Sequence, residues 1–164
     1  MDVMKQPWAL DYEATNCSVA AAVAVIGEKW TFLVLREAFM GVRRFADMQR
    51  RTGAPRQILS DRLARLVTDG LLSKVPYREQ GQRARQEYRL TAKGMDLYPI
   101  LVALMQWGDR NAAPAAGPYT LLVHRDCGAP VGLELTCADG HRLDSARDVT
   151  PLPGPGARRL AQAG

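Results

Sequence analysis

The chain has 164 residues, of which 47% are hydrophobic and 24% charged, with a net charge of +5. That is one ordinary domain, or one domain with an attachment, and it is long enough to bury a core. No apolar run approaches the roughly 20 residues that span a bilayer. The opening MDVMKQPWALDYEATNCS also lacks the basic-then-apolar plan of a secretion signal, so a cytoplasmic protein with reduced cysteines and no membrane partner is expected.

In chain order, SVAAAVAVI (18–26) predicts a short apolar helix capped by Ser18 or Asn16. Gly27 interrupts it, and WTFLVLREAFM continues as a second, largely buried helix ending at Gly41. VRRFADMQRRTG suits a short bridge and a two-turn helix with Phe45 and Met48 inward, stopped by Gly53. Pro55 then stands in the first turn of a helix over 56–69, which Gly70 closes. In that helix Leu59, Leu63 and Leu66 fall at i, i+4 and i+7, with Ile58 beside them. The opposite side carries Arg56, Gln57, Ser60, Asp61, Arg62 and Arg65.

After Gly70 the period changes. LLSKVPY and QEYRL predict two strands around the polar loop REQGQRAR, a hairpin whose tip carries Arg78, Arg83 and Arg85. Thr91 caps a long helix, TAKGMDLYPILVALMQWGDRNA, with Leu97, Ile100, Leu101, Leu104 and Trp107 on one broad face and a kink near Asp96 caused by Pro99. The expected fold class is mainly α with a β-hairpin wing, a winged helix-turn-helix, over residues 1–112. A linker (113–118) leads to a small C-terminal β appendage (119–152), built on YTLLVHRDCG and VGLELTCADGHRL as two strands, and a flexible tail (153–164).

Charge is unevenly spread. Residues 28–93 hold 15 of the 22 Lys and Arg but 7 of the 17 acids, a local excess of eight positive charges. A cationic middle favours a polyanion, because Lys and Arg displace condensed counterions from a phosphate backbone. A solvated surface would give the same bias with no partner. Two short helices followed by an arginine-tipped hairpin make double-stranded DNA the better reading.

CSVAAAVAVIGEKWTFLVLREAFMGVRRFADM, LSDRLARLVTDGLL and YRLTAKG, in this order and spacing, resemble the HxlR branch of the MarR-like winged-helix regulators over roughly residues 17–110. The resemblance implies a homodimeric transcription factor, not an enzyme, that binds a palindromic operator. On that reading the helix over 56–69 enters the major groove. Arg56, Gln57 and Ser60 reach base edges, arginine suiting guanine and glutamine adenine. Arg62 and Arg65 contact phosphates or support the fold, and Arg43, Arg44 and the hairpin arginines hold the flanking backbone. The family pairs the long helix with the partner's N-terminal segment, which makes Leu104, Met105 and Trp107 the dimer candidates.

Cys17 directly precedes the first helix, and a helix N-terminus favours a thiolate. Family members often sense oxidants or electrophiles with a cysteine here; a small buried residue at the dimer seam is the other reading. His124, Cys127, Cys137 and His141, spaced H-x2-C-x9-C-x3-H, could bind zinc, the one cofactor the sequence suggests. Longer relatives follow TC with C-x2-C spacing, but Gly140 occupies that place and His141 follows it. A Cys127–Cys137 redox pair and reduced structural residues are the alternatives. A small-molecule effector pocket between the dimer helices and the appendage, lined by Trp30 or Trp107, is also open. Rival functions are a winged helix used only for protein contact, or an enzyme with Cys127 as nucleophile and His124 as base, for which no orienting third group is identifiable.

Overall fold

A computed structural model of the chain describes residues 8–78, 80–81, 83–112 and 115–160, without the side chains of Trp8 and Leu10. The elements are α1 (Ser18–Ile26), α2 (Lys29–Phe39), α3 (Phe45–Thr52), α4 (Arg56–Thr68), β1 (Leu72–Tyr77), β2 (Arg85–Leu90), α5 (Ala92–Met95), α6 (Tyr98–Asn111), β3 (Leu135–Thr136) and β4 (Arg142–Leu143). No single helix among the described residues is long and apolar enough to cross a membrane. Contacts divide the chain into two units. One runs from Val25 to Leu133; the other joins the described residues up to Ala24 with those from Glu134 onward.

The first unit is a helix-turn-helix with its wing. Val34 and Leu35 of α2, Met48 of α3, Leu59, Leu63 and Leu66 of α4, and Leu71 and Leu72 at the wing root form its core with Ile26 and Ala54. The leucine spacing on α4 is the reason: one turn apart on one face, all three side chains are fully buried. Between α3 and α4 the chain reverses at Gly53, whose φ of 71° is left-handed and costs glycine little. Pro55 stands one residue before the helix, as its cap, and its carbonyl accepts from Leu59 N at 2.9 Å.

β1 and β2 pair antiparallel from Leu72↔Leu90 to Tyr77↔Arg85. The segment before α3 joins the open edge of β2: Arg44 bridges Glu87, and Tyr88 N donates to the Arg43 carbonyl at 2.8 Å.

The predicted long helix is two helices. α5 ends at Met95, capped by Asp96, and α6 starts at Tyr98, with Pro99 in its first turn. A proline has no N–H and clashes with the carbonyl four residues back, so one helix cannot run through it. At a helix start neither defect matters. Thr91 caps α5 as predicted, its Oγ1 accepting from Gly94 N at 3.0 Å and donating to the Gly70 carbonyl at 2.6 Å. Gly94 is needed at its position, since a Cβ there would lie 2.2 Å from the Leu71 carbonyl oxygen.

From Tyr119 onward, YTLLVHRDCG is not a strand. Its only ladder contact among the described residues is an isolated bridge, Val123↔Pro130. VGLELTCADGHRL folds back on itself as β3 and β4, paired Leu135↔Leu143 and Thr136↔Arg142 across a turn that uses Gly140 at φ 80°. The tail, expected to be flexible, is paired through its described part. Glu13 N donates to the Arg158 carbonyl and Leu160 N to the Asp11 carbonyl, both at 2.8 Å. Residues 161–164 lie outside the described residues.

Candidate nucleic-acid interface

Buried leucines fix the rotation of α4, so Arg56, Gln57 and Ser60 are exposed at its N-terminal end. The Arg56 guanidinium lies 5.2 Å from the centre of the Phe45 ring, at the start of α3. That aromatic face orients the cation while its polar edge stays exposed. Gln57 Nε2 donates to Asp61 Oδ1 at 2.9 Å, which holds the amide along the helix axis.

The other two arginines on α4 are engaged within the fold. Arg62 is half-buried and pairs with Glu28 at 2.7 Å. Its Nε is buried with no hydrogen-bond partner among the described residues. Arg65 Nε donates to Asp69 Oδ2 at 2.8 Å, and that bond is the main cause of its raised pKa.

Arg43 and Arg44 before α3, and Arg78, Arg83 and Arg85 on the wing, are all exposed. Arg44 lies over the Tyr77 ring at 4.6 Å, joining the entry to α3 with the end of β1. Arg89 pairs with Glu87 at 2.5 Å, on the strand that carries Arg85. Tyr88, inside the hairpin, has its hydroxyl pKa pushed up by burial. The Tyr77 contact and the Phe45 contact were not readable in the sequence, since each joins residues brought together by the turn and hairpin.

Sequence reasoning also missed Glu37. Its side chain is fully buried on α2, where Arg36 donates to Oε1 through Nε at 2.9 Å and through a terminal nitrogen at 2.6 Å. Arg51 of α3 donates to the other carboxylate oxygen, Oε2, and a second Arg51 nitrogen reaches the Tyr119 hydroxyl at 3.1 Å. The Glu37 bond, ahead of the Tyr119 bond, raises the Arg51 pKa. A buried carboxylate is tolerated only when its lone pairs are taken, so this group ties α3 to α2. The available signal was one acid in the apolar run WTFLVLREAFM.

Of the dimer candidates, Leu104 and Trp107 are 48% and 57% exposed, in a stripe with Ile100 at i, i+4 and i+7 of α6. Met105 is half-buried and lines a cavity of about 350 Å³ between α2 and α6, with Phe32, Phe39, Tyr98, Leu101 and Tyr119. Neither Trp30 nor Trp107 lines it. Leu104, though 48% exposed, does line it, so the stripe borders the cavity at its middle residue.

Cys17 is exposed, and its carbonyl accepts from Ala21 N at 3.0 Å, so it sits at the mouth of α1. The four predicted metal ligands form two local pairs. His124 Nδ1 lies 3.3 Å from Cys127 Sγ in the unit Val25–Leu133, and His141 Nδ1 lies 3.4 Å from Cys137 Sγ in the other unit.

The HxlR-like helix-turn-helix family model matches residues 25–116. An HTH-type transcriptional regulator of Mycobacterium tuberculosis is 48% identical over 139 residues, covering 85% of this chain and 87% of that protein. Among solved structures, PA1607, a candidate transcription factor, superposes with a TM-score of 0.73 at 37% identity, over 91% of this chain and 96% of the other. The redox regulator HypR in its oxidized form aligns with a TM-score of 0.54 at 28% identity, over 60% of this chain and all (100%) of HypR.

Proposed function

The chain belongs to the HxlR-like helix-turn-helix family of transcriptional regulators, and from that premise we propose that it acts as a cytoplasmic homodimer on a palindromic operator. The observation that carries the reading is the exposed trio Arg56, Gln57 and Ser60 at the N-terminal end of a helix anchored by its leucines. A major groove admits one such helix, and these three side chains supply the donors and acceptors that distinguish bases.

Arg43 and Arg44, beside the wing, and Arg78, Arg83 and Arg85 on it contact phosphates and set the register. Arg62 and Arg65 are engaged by Glu28 and Asp69, so their part is to support the helix. The exposed stripe of Ile100, Leu104 and Trp107 supports a dimer seam, because a lone domain gains by covering such a face. Val19 and Val23 of α1, also well exposed, give the partner apolar surface to offer. An effector reaches this dimer at Cys17 as an electrophile or oxidant; the likeness to HypR, a redox regulator, and the exposure of the thiol support that route.

The test is a footprint and gel shift on DNA flanking the chain's own gene. Two protected half-sites about one helical turn apart, in a complex weakened by salt, are expected. Protein association with no specific DNA complex would replace this reading with a protein-contact module.

A further inference from the structure

We propose that the turn joining β3 to β4 is a metal site, in which Cys137, Asp139 and His141 bind one zinc-class divalent cation. The thiol sulfur, a carboxylate oxygen and an imidazole nitrogen of these residues all lie within 4.8 Å of one another. The turn itself brings them together. Cys137 N donates to the His141 carbonyl and Gly140 N to the Cys137 carbonyl, each at 3.0 Å, and Gly140 takes the left-handed φ of 80° that closes it. In an extended strand donors at i, i+2 and i+4 would share a face but spread over about 13 Å, so it is the turn that gathers them.

The spacing suits the metal. Zinc–sulfur and zinc–nitrogen bonds of about 2.3 and about 2.0–2.1 Å at a tetrahedral angle separate sulfur from nitrogen by about 3.5–3.6 Å. Cys137 Sγ and His141 Nδ1 are 3.4 Å apart. Sulfur with imidazole selects zinc-like ions over calcium or magnesium, and the carboxylate adds the charge that a single thiolate lacks. Asp139 is the residue that the sequence pattern did not mark. The pair His124 and Cys127 is as close, at 3.3 Å, but has no third donor beside it among the described residues.

The hairpin also benefits from a ligand. It has two paired positions, Leu135 and Thr136 of β3 are exposed, and so is Arg142 of β4. A two-stranded hairpin of this size is marginal in water. On binding, the Cys137 thiol loses its proton to solvent, Asp139 binds as carboxylate and His141 as neutral imidazole. Because the backbone already holds the three donors together, little conformational freedom is lost. Three protein ligands leave the fourth position to water, or to an exchangeable ligand.

Cobalt(II) replaces zinc as the probe on the full-length protein. The expected result is one cobalt per chain, with a thiolate-to-cobalt charge-transfer band in the near ultraviolet that zinc abolishes. Cys137→Ser removes the band. Asp139→Asn and His141→Ala each weaken binding by more than about a hundredfold, beyond the range for groups that only support ligands. Cys127→Ser leaves both band and affinity unchanged. Operator binding by each variant verifies that it is folded. No charge-transfer band in the wild type, a band that survives Cys137→Ser, or one whose intensity falls in Cys127→Ser would overturn the assignment.

Discussion

At the residue scale the TAKG segment shows how much one position can demand. A methyl on Gly94 would meet the Leu71 carbonyl at 2.2 Å, and a backbone atom at a wing root cannot swing aside. Gly94→Ala is expected to cost about 2–3 kcal/mol, the upper part of the range for forced overpacking. A lower urea midpoint at unchanged m-value is the reading that shows it. Cys17 poses a separate question of the same size. A quinone should alkylate Cys17 at neutral pH before Cys127 or Cys137 and lower operator affinity, while Cys17→Ser retains its affinity. Mass-mapped alkylation run beside a DNA titration decides this; equal loss in both proteins would reduce Cys17 to a packing residue.

At the element scale α4 separates its arginines by where they stand. Arg56→Ala is expected to weaken operator binding by about 1–3 kcal/mol, the value of a good bidentate base contact, and to relax specificity at one position. Arg65→Ala should cost clearly less, since Asp69 already takes that guanidinium. Arg83→Ala should weaken specific and random DNA alike and lower the salt slope by about 0.9. Titrations at several salt concentrations with operator and scrambled duplex distinguish the three outcomes. Unchanged specific affinity in a folded Arg56→Ala protein would contradict the groove placement.

Elements with local causes were legible in the sequence, and those with distant causes were not. Gly53, Pro55 and Gly70 punctuate the chain by their own backbone preferences, so the two helices and the wing root were readable from neighbours alone. Pro99 gave the position of a disturbance but not its size, because a kink and a break begin with the same missing N–H. The Glu37 cluster and the pairing of Tyr12 with Arg159 join residues far apart in the chain. Periodicity carries no information about such partners. The metal candidates were partly legible: Cys and His announce themselves by type, whereas Asp139 becomes a donor only once the turn has formed.

At the scale of the whole molecule, assembly is the property most exposed to test. Trp107→Glu, or Leu104→Glu, places a charge on the outer stripe of α6 and is expected to give monomers with their helical content intact. Operator affinity should fall with the loss of the second half-site. Sedimentation velocity and circular dichroism read the two effects separately. A stable monomer of the unsubstituted protein at micromolar concentration would refute the dimer.

The corner between α4 and α5 makes these two scales one. Lys93 Nζ donates to the Asp69 carbonyl at 2.8 Å, Thr91 donates to the Gly70 carbonyl, and Gly94 lets α5 lie against Leu71. The tail of α4, the wing root and the head of α5 are thereby clamped, and the next break in the chain comes only at Asp96–Leu97. α4 has 13 residues, so at 1.5 Å per residue it is a lever about 20 Å long. Held at its tail, it turns a tilt of about 10° into about 3 Å of travel at Arg56, close to the rise of one base pair. The same tilt would carry the fully buried Leu59 about 2 Å out of its packing, so the leucine face that stabilises α4 also holds the reading end to within one step along the duplex.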